Sequence, residues 1–280
     1  MHTIDQDQIR ALFKLLETDA GNRSVLKHAL ASAIKTNPQL VQQVLERDFS
    51  HDAPSGIVHT LEEICWEDLT VALSHFAAKI NPDLEEGLAL VAKFTTPTTA
   101  RGKITPVLDE MALELRPVLL NITTGREAAQ AIGHYIFNIK KFTTLPTAKH
   151  IKDLAFPFFL EKKKGSNLCI ACLYMCIGQR YGIEMEVVDL AGRILLRVHD
   201  KQHNDTFAID PLDNGKILSQ EDCQSYLKSR NLPEDVADIT VLSSRLIVRR
   251  FLANMIYLLN KLQDTRRLNY LREYLEILRS

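Results

Sequence analysis

Gly165-Ser-Asn-Leu-Cys-Ile-Ala-Cys-Leu-Tyr174, followed by Gly192-Arg-Ile-Leu-Leu-Arg197 and by Phe207-Ala-Ile-Asp-Pro211, is the part of the chain on which the fold turns. Gly165 and Ser166 stand where a helix starts, and Gly182 stands where the same helix would end, after about Tyr181. Glu184 to Leu190, Arg193 to His199 with its clean alternation, and Thr206 to Ile209 then read as strands. The polar run His199-Asp-Lys-Gln-His-Asn-Asp-Thr206 is the hairpin connection between the last two. Cys169, in the first turn of a helix, is thus followed by two strands, the second of which ends in Asp210. The fold class this implies is α+β.

Upstream of this core nearly every segment reads as helix. Ile9, Leu12, Phe13 and Leu16 share one helical face; Leu26, Leu30 and Ala33 mark a second helix, which Asn37-Pro38 closes while opening a third with Leu40, Val41, Val44 and Leu45. Thr60 with Glu63 reads as a capping box ahead of Leu61, Cys65, Leu69, Ala72 and Phe76, and Asn81-Pro82 as the start of a helix with Leu84, Leu88 and Val91. The loop Thr95-Thr-Pro-Thr-Thr-Ala-Arg-Gly102 is the clearest break. Thr105-Pro106 restarts a helix that Pro117 should end or kink, and Thr124 with Glu127 caps another carrying Ile132, Ile136 and Ile139. No fixed period establishes a repeat array, so a helical layer on the later sheet is expected. Ser219 with Asp222 caps a short helix downstream, and Leu246 to Leu262 and Thr265 to Leu278 form an antiparallel helical pair.

The length of 280 residues suggests about two domains, and 46% hydrophobic with 25% charged residues is the make-up of a globular protein. A net charge of −1 gives no global argument for nucleic acid or an anionic membrane. Met1-His-Thr-Ile-Asp-Gln-Asp lacks the basic region and apolar run of a signal peptide, and no stretch approaches the ~18 apolar residues of a membrane span. A cytoplasmic location is expected. Five cysteines, three of them within eight residues, make a poor disulfide framework and point to reduced thiols.

The order Gly-x-x-Leu-x-x-x-x-Leu-Tyr, Arg-Tyr-Gly-Ile, Gly-x-x-Leu-x-Arg, Ile-Asp-Pro-x-x-x-Gly-x-x-Leu and Val248-Arg-Arg-Phe-Leu-Ala-Asn254 resembles the SirB-type branch of the transglutaminase-like superfamily, over about residues 125 to 279. The resemblance implies a core similar to that of transglutaminases and papain-like proteases. Catalytic members carry a Cys at a helix start, a His on a strand and an Asp on the next. Carried over, Cys169 falls near the nucleophile position, Asp210 on the aspartate, and Arg193 on the histidine of a Gly-His-Phe-Leu-Val-Arg segment. Ser166-Asn167 replaces the usual Asn-Pro.

The chemistry of these residues can be weighed by itself. A thiol at a helix start gains from the helix dipole, and a nearby guanidinium would lower its pKa further. Acyl transfer also needs a group to protonate the leaving amine, and an arginine holds its proton too tightly for that. His199 lies six residues along the same strand face, about 20 Å away. The histidines of the helical half, His28, His51, His59, His75, His134 and His150, have no metal-ligand spacing. Cys169, Cys172 and Cys176 share a helical face, yet side chains along a continuous helix do not enclose a metal, so no metal and no cofactor are expected.

The sequence therefore gives residues 1–122 as a helical amino-terminal region and 123–280 as a transglutaminase-like domain, a helix packed on a small antiparallel sheet with C-terminal helices. The expected role is non-catalytic: binding, scaffolding or regulation, with another protein as partner and neither membrane nor nucleic acid. The alternative is a cysteine-dependent enzyme (protease, amidase or transglutaminase-like) using Cys169 and Asp210 with an unidentified base. A nucleic-acid-associated regulator is favoured only if the clusters Lys162-Lys-Lys164, Arg249-Arg250 and Arg266-Arg267 merge on one face. Arg193 and Asp210 are expected to form an ion pair across adjacent strands, beside the helix start that carries Cys169.

Overall fold

The computed structural model describes residues 4–19, 21–49, 54–95, 104–145, 147–231 and 239–279. It divides into two compact units, one of residues 1–72 with 96–98 and one of 73–95 with 99–280. The sequence reading divided the chain at 122 by type of secondary structure; compactness divides it earlier, within a helix. The loop at 96–102 and His51 lie outside the described residues.

The first unit holds α1 (Gln6–Thr18), α2 (Arg23–Thr36), α3 (Pro38–Asp48) and most of α4 (Ser55–Ala78). Its apolar stripes meet one another: Ile9, Phe13, Leu30, Val44 and Ile57 are fully buried in one cluster. It has a core of its own. Thr60 does not cap α4. The helix starts beyond Pro54, whose carbonyl accepts from the amides of Ile57 and Val58, and the Thr60 hydroxyl turns back to the Gly56 carbonyl at 2.8 Å.

The second unit continues with α5 (Leu84–Thr95), capped by Asp83 rather than Asn81, and α6 (Thr105–Leu119), which contains Pro117 two residues before its end. Thr124 caps α7 (Gly125–Gly133), accepting from the Glu127 amide at 3.2 Å. A wider π-type turn follows over His134–Ile139, so that Ile136 is buried but Ile139 is 57% exposed. The two-residue strands β1 (Thr143–Thr144) and β2 (Lys164–Gly165) pair in parallel across a 3₁₀ turn at Ile151–Leu154 and α8 (Phe156–Lys162).

Then comes α9 (Asn167–Arg180), buried at every position from Leu168 to Gly178. A five-stranded antiparallel sheet follows, made of β3 (Glu184–Leu190), β4 (Arg193–Asp200), β5 (Asp205–Asp210), β6 (Lys216–Leu218) and β7 (Ile239–Leu242) in the order β6-β5-β4-β3-β7. Between β6 and β7 lies α10 (Gln220–Ser229), with the expected Ser219 and Asp222 capping box. The chain closes with α11 (Ser244–Leu262) and α12 (Thr265–Ile277), packed on each other. Alternation divides the sheet into two faces. Met185, whose sulfur would meet a Cβ on Gly178 at 2.9 Å, shares its face with Val198 and is covered by α9. Val188, Leu190, Leu195 and Leu218 point the other way, into a cluster with Cys223 and Leu227 of α10.

Candidate functional site

Ser166 caps α9, its hydroxyl oxygen accepting from the Cys169 amide at 3.3 Å and lying 3.4 Å from the Cys169 sulfur, to which it donates. Gly165 is required just before it, because a Cβ there would run into the Phe159 ring and lie 3.2 Å from the Cys169 Cβ. Cys169 is fully buried, and burial pushes its thiol up to about 11 against the opposite pull of the Ser166 hydrogen bonds. The helix start favours the thiolate, and desolvation outweighs it. Burial likewise raises Cys172 and Cys176 farther along the same helix. Among the described residues no group of three or more His, Cys, Asp and Glu side chains is placed to hold a metal ion.

Arg193 donates to Asp210, as the strand register suggested. Asp210 is fully buried, and its second carboxylate oxygen accepts from the Leu212 amide at 2.8 Å. Pairing of Leu196 with Ile209 brings Leu195 opposite Asp210, so Arg193 meets it diagonally on the face that carries Leu195. That is the face under α10, and the guanidinium also lies 4.9 Å from the ring centre of Tyr226. The expected place of the pair, beside Cys169, is thus corrected: Cys169 rides on α9, across the sheet. The thiol that senses Arg193 and Asp210 is Cys223 of α10, raised by burial with Arg193 opposing.

Of the histidines in this half, His199 bonds the Glu186 carboxylate at 2.9 Å, which also takes two hydrogen bonds from Arg197 at 2.9 and 2.6 Å. His203 bonds Asp200 at 2.9 Å. Among the described residues no imidazole is hydrogen-bonded to Cys169 or Asp210, whose side chains are bonded to Ser166 and to Arg193 and Leu212 respectively.

Grooves open on this unit among the described residues. One, of about 420 Å³, lies at the start of α9 and is lined by Thr144, Leu145, Leu154, Ser166, Asn167 and Leu212 among others. Another, of about 530 Å³, runs past Thr124, Gly125, Tyr181, Gly182, His199 and Asp200. Sequence reasoning found Ser166 and Asn167 but not the groove, whose walls come from segments about 20 to 70 residues apart in the chain.

A family model described as the transglutaminase-like superfamily matches residues 103–253, more than half of the chain. The protein belongs to the transglutaminase-like superfamily. Searches of the curated proteins and of the solved structures return no significant match.

Proposed function

We propose that this is a SirB-type member of the superfamily without the catalytic histidine, acting as a binding, scaffolding or regulatory module for another protein. The observation that carries the reading is the Arg193–Asp210 ion pair: the position that the resemblance gives to histidine holds a guanidinium, committed to the aspartate under α10. A guanidinium neither takes a proton from a thiol nor delivers one to a leaving amine at neutral pH. The burial of Cys169, with its thiol pushed up to about 11, supports the same conclusion. We take residues 123–280 as the functional domain and the helices before it as an accessory region. Reduced cysteines suit a cytoplasmic setting, and none of Cys169, Cys172, Cys176 and Cys223 forms a disulfide. No helix among the described residues is long and apolar enough to cross a membrane.

The test is turnover. Purified protein incubated with a panel of peptide, amide and amine-acceptor substrates is expected to show no amidase, protease or transamidase activity. Activity that disappears in Cys169→Ser would establish the cysteine-dependent enzyme instead.

A further inference from the structure

Residues 134–168 carry seven lysines against two carboxylates, Asp153 and Glu161, in a chain whose net charge is −1. The fold gathers these lysines. Lys140 ion-pairs with Glu114 at 2.7 Å, and Lys163 is near enough to add to the field on the same carboxylate. The ammonium groups of Lys152 and Lys162 lie 5.4 and 5.7 Å from the centre of one ring, that of Phe158. Pairing of β1 with β2 sets Thr143, two residues after Lys141, beside Lys164.

Little opposes this charge locally. Asp153 is engaged by the amides of Lys149 and His150 at 2.9 and 2.8 Å, and Glu161 pairs with Lys162 at 2.7 Å. No ion pair links Lys141, Lys149, Lys152 or Lys164 to a carboxylate among the described residues. All four are exposed, and like charges held together without partners are unfavourable unless something of opposite charge covers them.

The same segment walls the groove at the start of α9. Its lining is apolar at Leu145, Ala148, Leu154 and Leu212, the last 51% exposed, and polar at Thr144, Ser166 and Asn167, with one carboxylate, Asp153, already held by two backbone amides. We infer that this groove, whose lining residues Ala148 and Asp153 are adjoined in the chain by Lys149 and Lys152 and whose Ser166 follows Lys164 by two residues, takes an extended acidic segment of a partner protein, apolar side chains against its leucines and carboxylates toward the lysines. The inference rests on the binding-module reading and gives the partner its chemistry.

Nucleic acid fits less well. The apolar part of the lining offers nothing to a phosphodiester chain, and residues 134–168 contain no arginine to grip phosphates in pairs. Phe158 already lies under two ammonium groups and is not a free stacking platform. The other basic clusters do not merge with each other: Arg249-Arg250 lies near the start of α11, whereas Arg266-Arg267 follows its far end, ~20 Å along the helix.

The test is fluorescence anisotropy on the full chain with three labelled probes: a peptide alternating Glu or Asp with Leu, its Gln and Asn counterpart, and a single-stranded oligonucleotide of similar length. The acidic peptide is expected to bind in a salt-sensitive way, about tenfold or more tighter than either of the others. Lys149→Glu with Lys152→Glu and Lys164→Glu should weaken it about tenfold or more, and Leu212→Asp about fivefold. All four side chains are exposed, so the melting temperatures should stay as they are. No binding of the acidic peptide, tighter binding of the oligonucleotide, or binding that survives the triple charge reversal would overturn the inference. Cleavage of the bound peptide would leave the inference standing and overturn the non-catalytic reading.

Discussion

Arg193 reaches Asp210 on the sheet face that α10 covers, not on the face where α9 carries its cysteines. Asp210 is fully buried while the guanidinium is a quarter exposed, so removing the arginine strands a carboxylate that water cannot easily reach. Arg193→Ala should therefore destabilise the protein by about 3 kcal/mol, at the lower end for a broken buried pair. Arg193→Lys should cost less. Urea denaturation read by circular dichroism checks this; a loss below ~1 kcal/mol would mean that Asp210 finds another partner.

Buried thiols react slowly. With Cys169 pushed up to about 11 and fully covered, iodoacetamide at mildly alkaline pH should leave Cys169, Cys172 and Cys176 unmodified in the folded state and label all three after denaturation. Cys65, only partly buried, should label first. Peptide mapping by mass spectrometry reads the order. Rapid native labelling of Cys169 would return it to the list of candidate nucleophiles.

The Tyr174 hydroxyl is buried without a hydrogen-bond partner among the described residues, so its removal should not hurt. Tyr174→Phe is expected to be neutral or stabilising by up to about 1 kcal/mol. Gly133→Ala should cost about 2 kcal/mol, because its Cβ would collide with that hydroxyl. In the Tyr174→Phe background the nearest ring carbon is 3.5 Å away, an ordinary contact, and most of the loss should vanish. Thermal melts of the two single variants and the double variant decide the matter; additive losses would contradict it.

Asp200 joins the end of β4 to the start of α7, accepting from the Gly125 amide at 2.6 Å. That amide holds its carboxyl below the usual range, with burial opposing and the hydrogen bonds from His203 adding to the effect. A carboxyl lowered by folding contributes stability that is present above its unfolded value of ~4 and is lost as pH falls through the lowered one. Acid should thus loosen this junction, and Asp200→Asn should show a shallower fall in stability below about pH 4. Equal pH slopes for the two proteins would exclude the carboxylate as the cause.

The sheet and α9 were legible because β3, β4 and β5 alternate over six to eight residues and Ser166 and Gly182 bracket the helix. β6, with three residues, and β1 and β2, with two each, are too short for any period to register. The Thr60 and Glu63 spacing imitated a cap inside a helix that Pro54 had already started. Ile139 was placed in an apolar stripe by assuming 3.6 residues per turn through a π-type turn. The Arg193–Asp210 pair was readable from the family resemblance together with strand alternation. Which helix lies over which face was not, since alternation separates two faces without naming what covers either.

Tyr174 also constrains the order in which this sequence can change. Gly133 and Gly215 come from separate parts of the chain, yet the same hydroxyl bars a side chain at both. Alanine at position 133 is harmful before the tyrosine becomes phenylalanine and tolerable after it, so the size of one mutation's effect depends on another 41 positions away. Position 215 is barred a second time by its φ of +76°, which no change at Tyr174 relieves. Lineages descending from this protein would gain side chains at 133 only along paths that pass through position 174 first, while 215 stays glycine on either path.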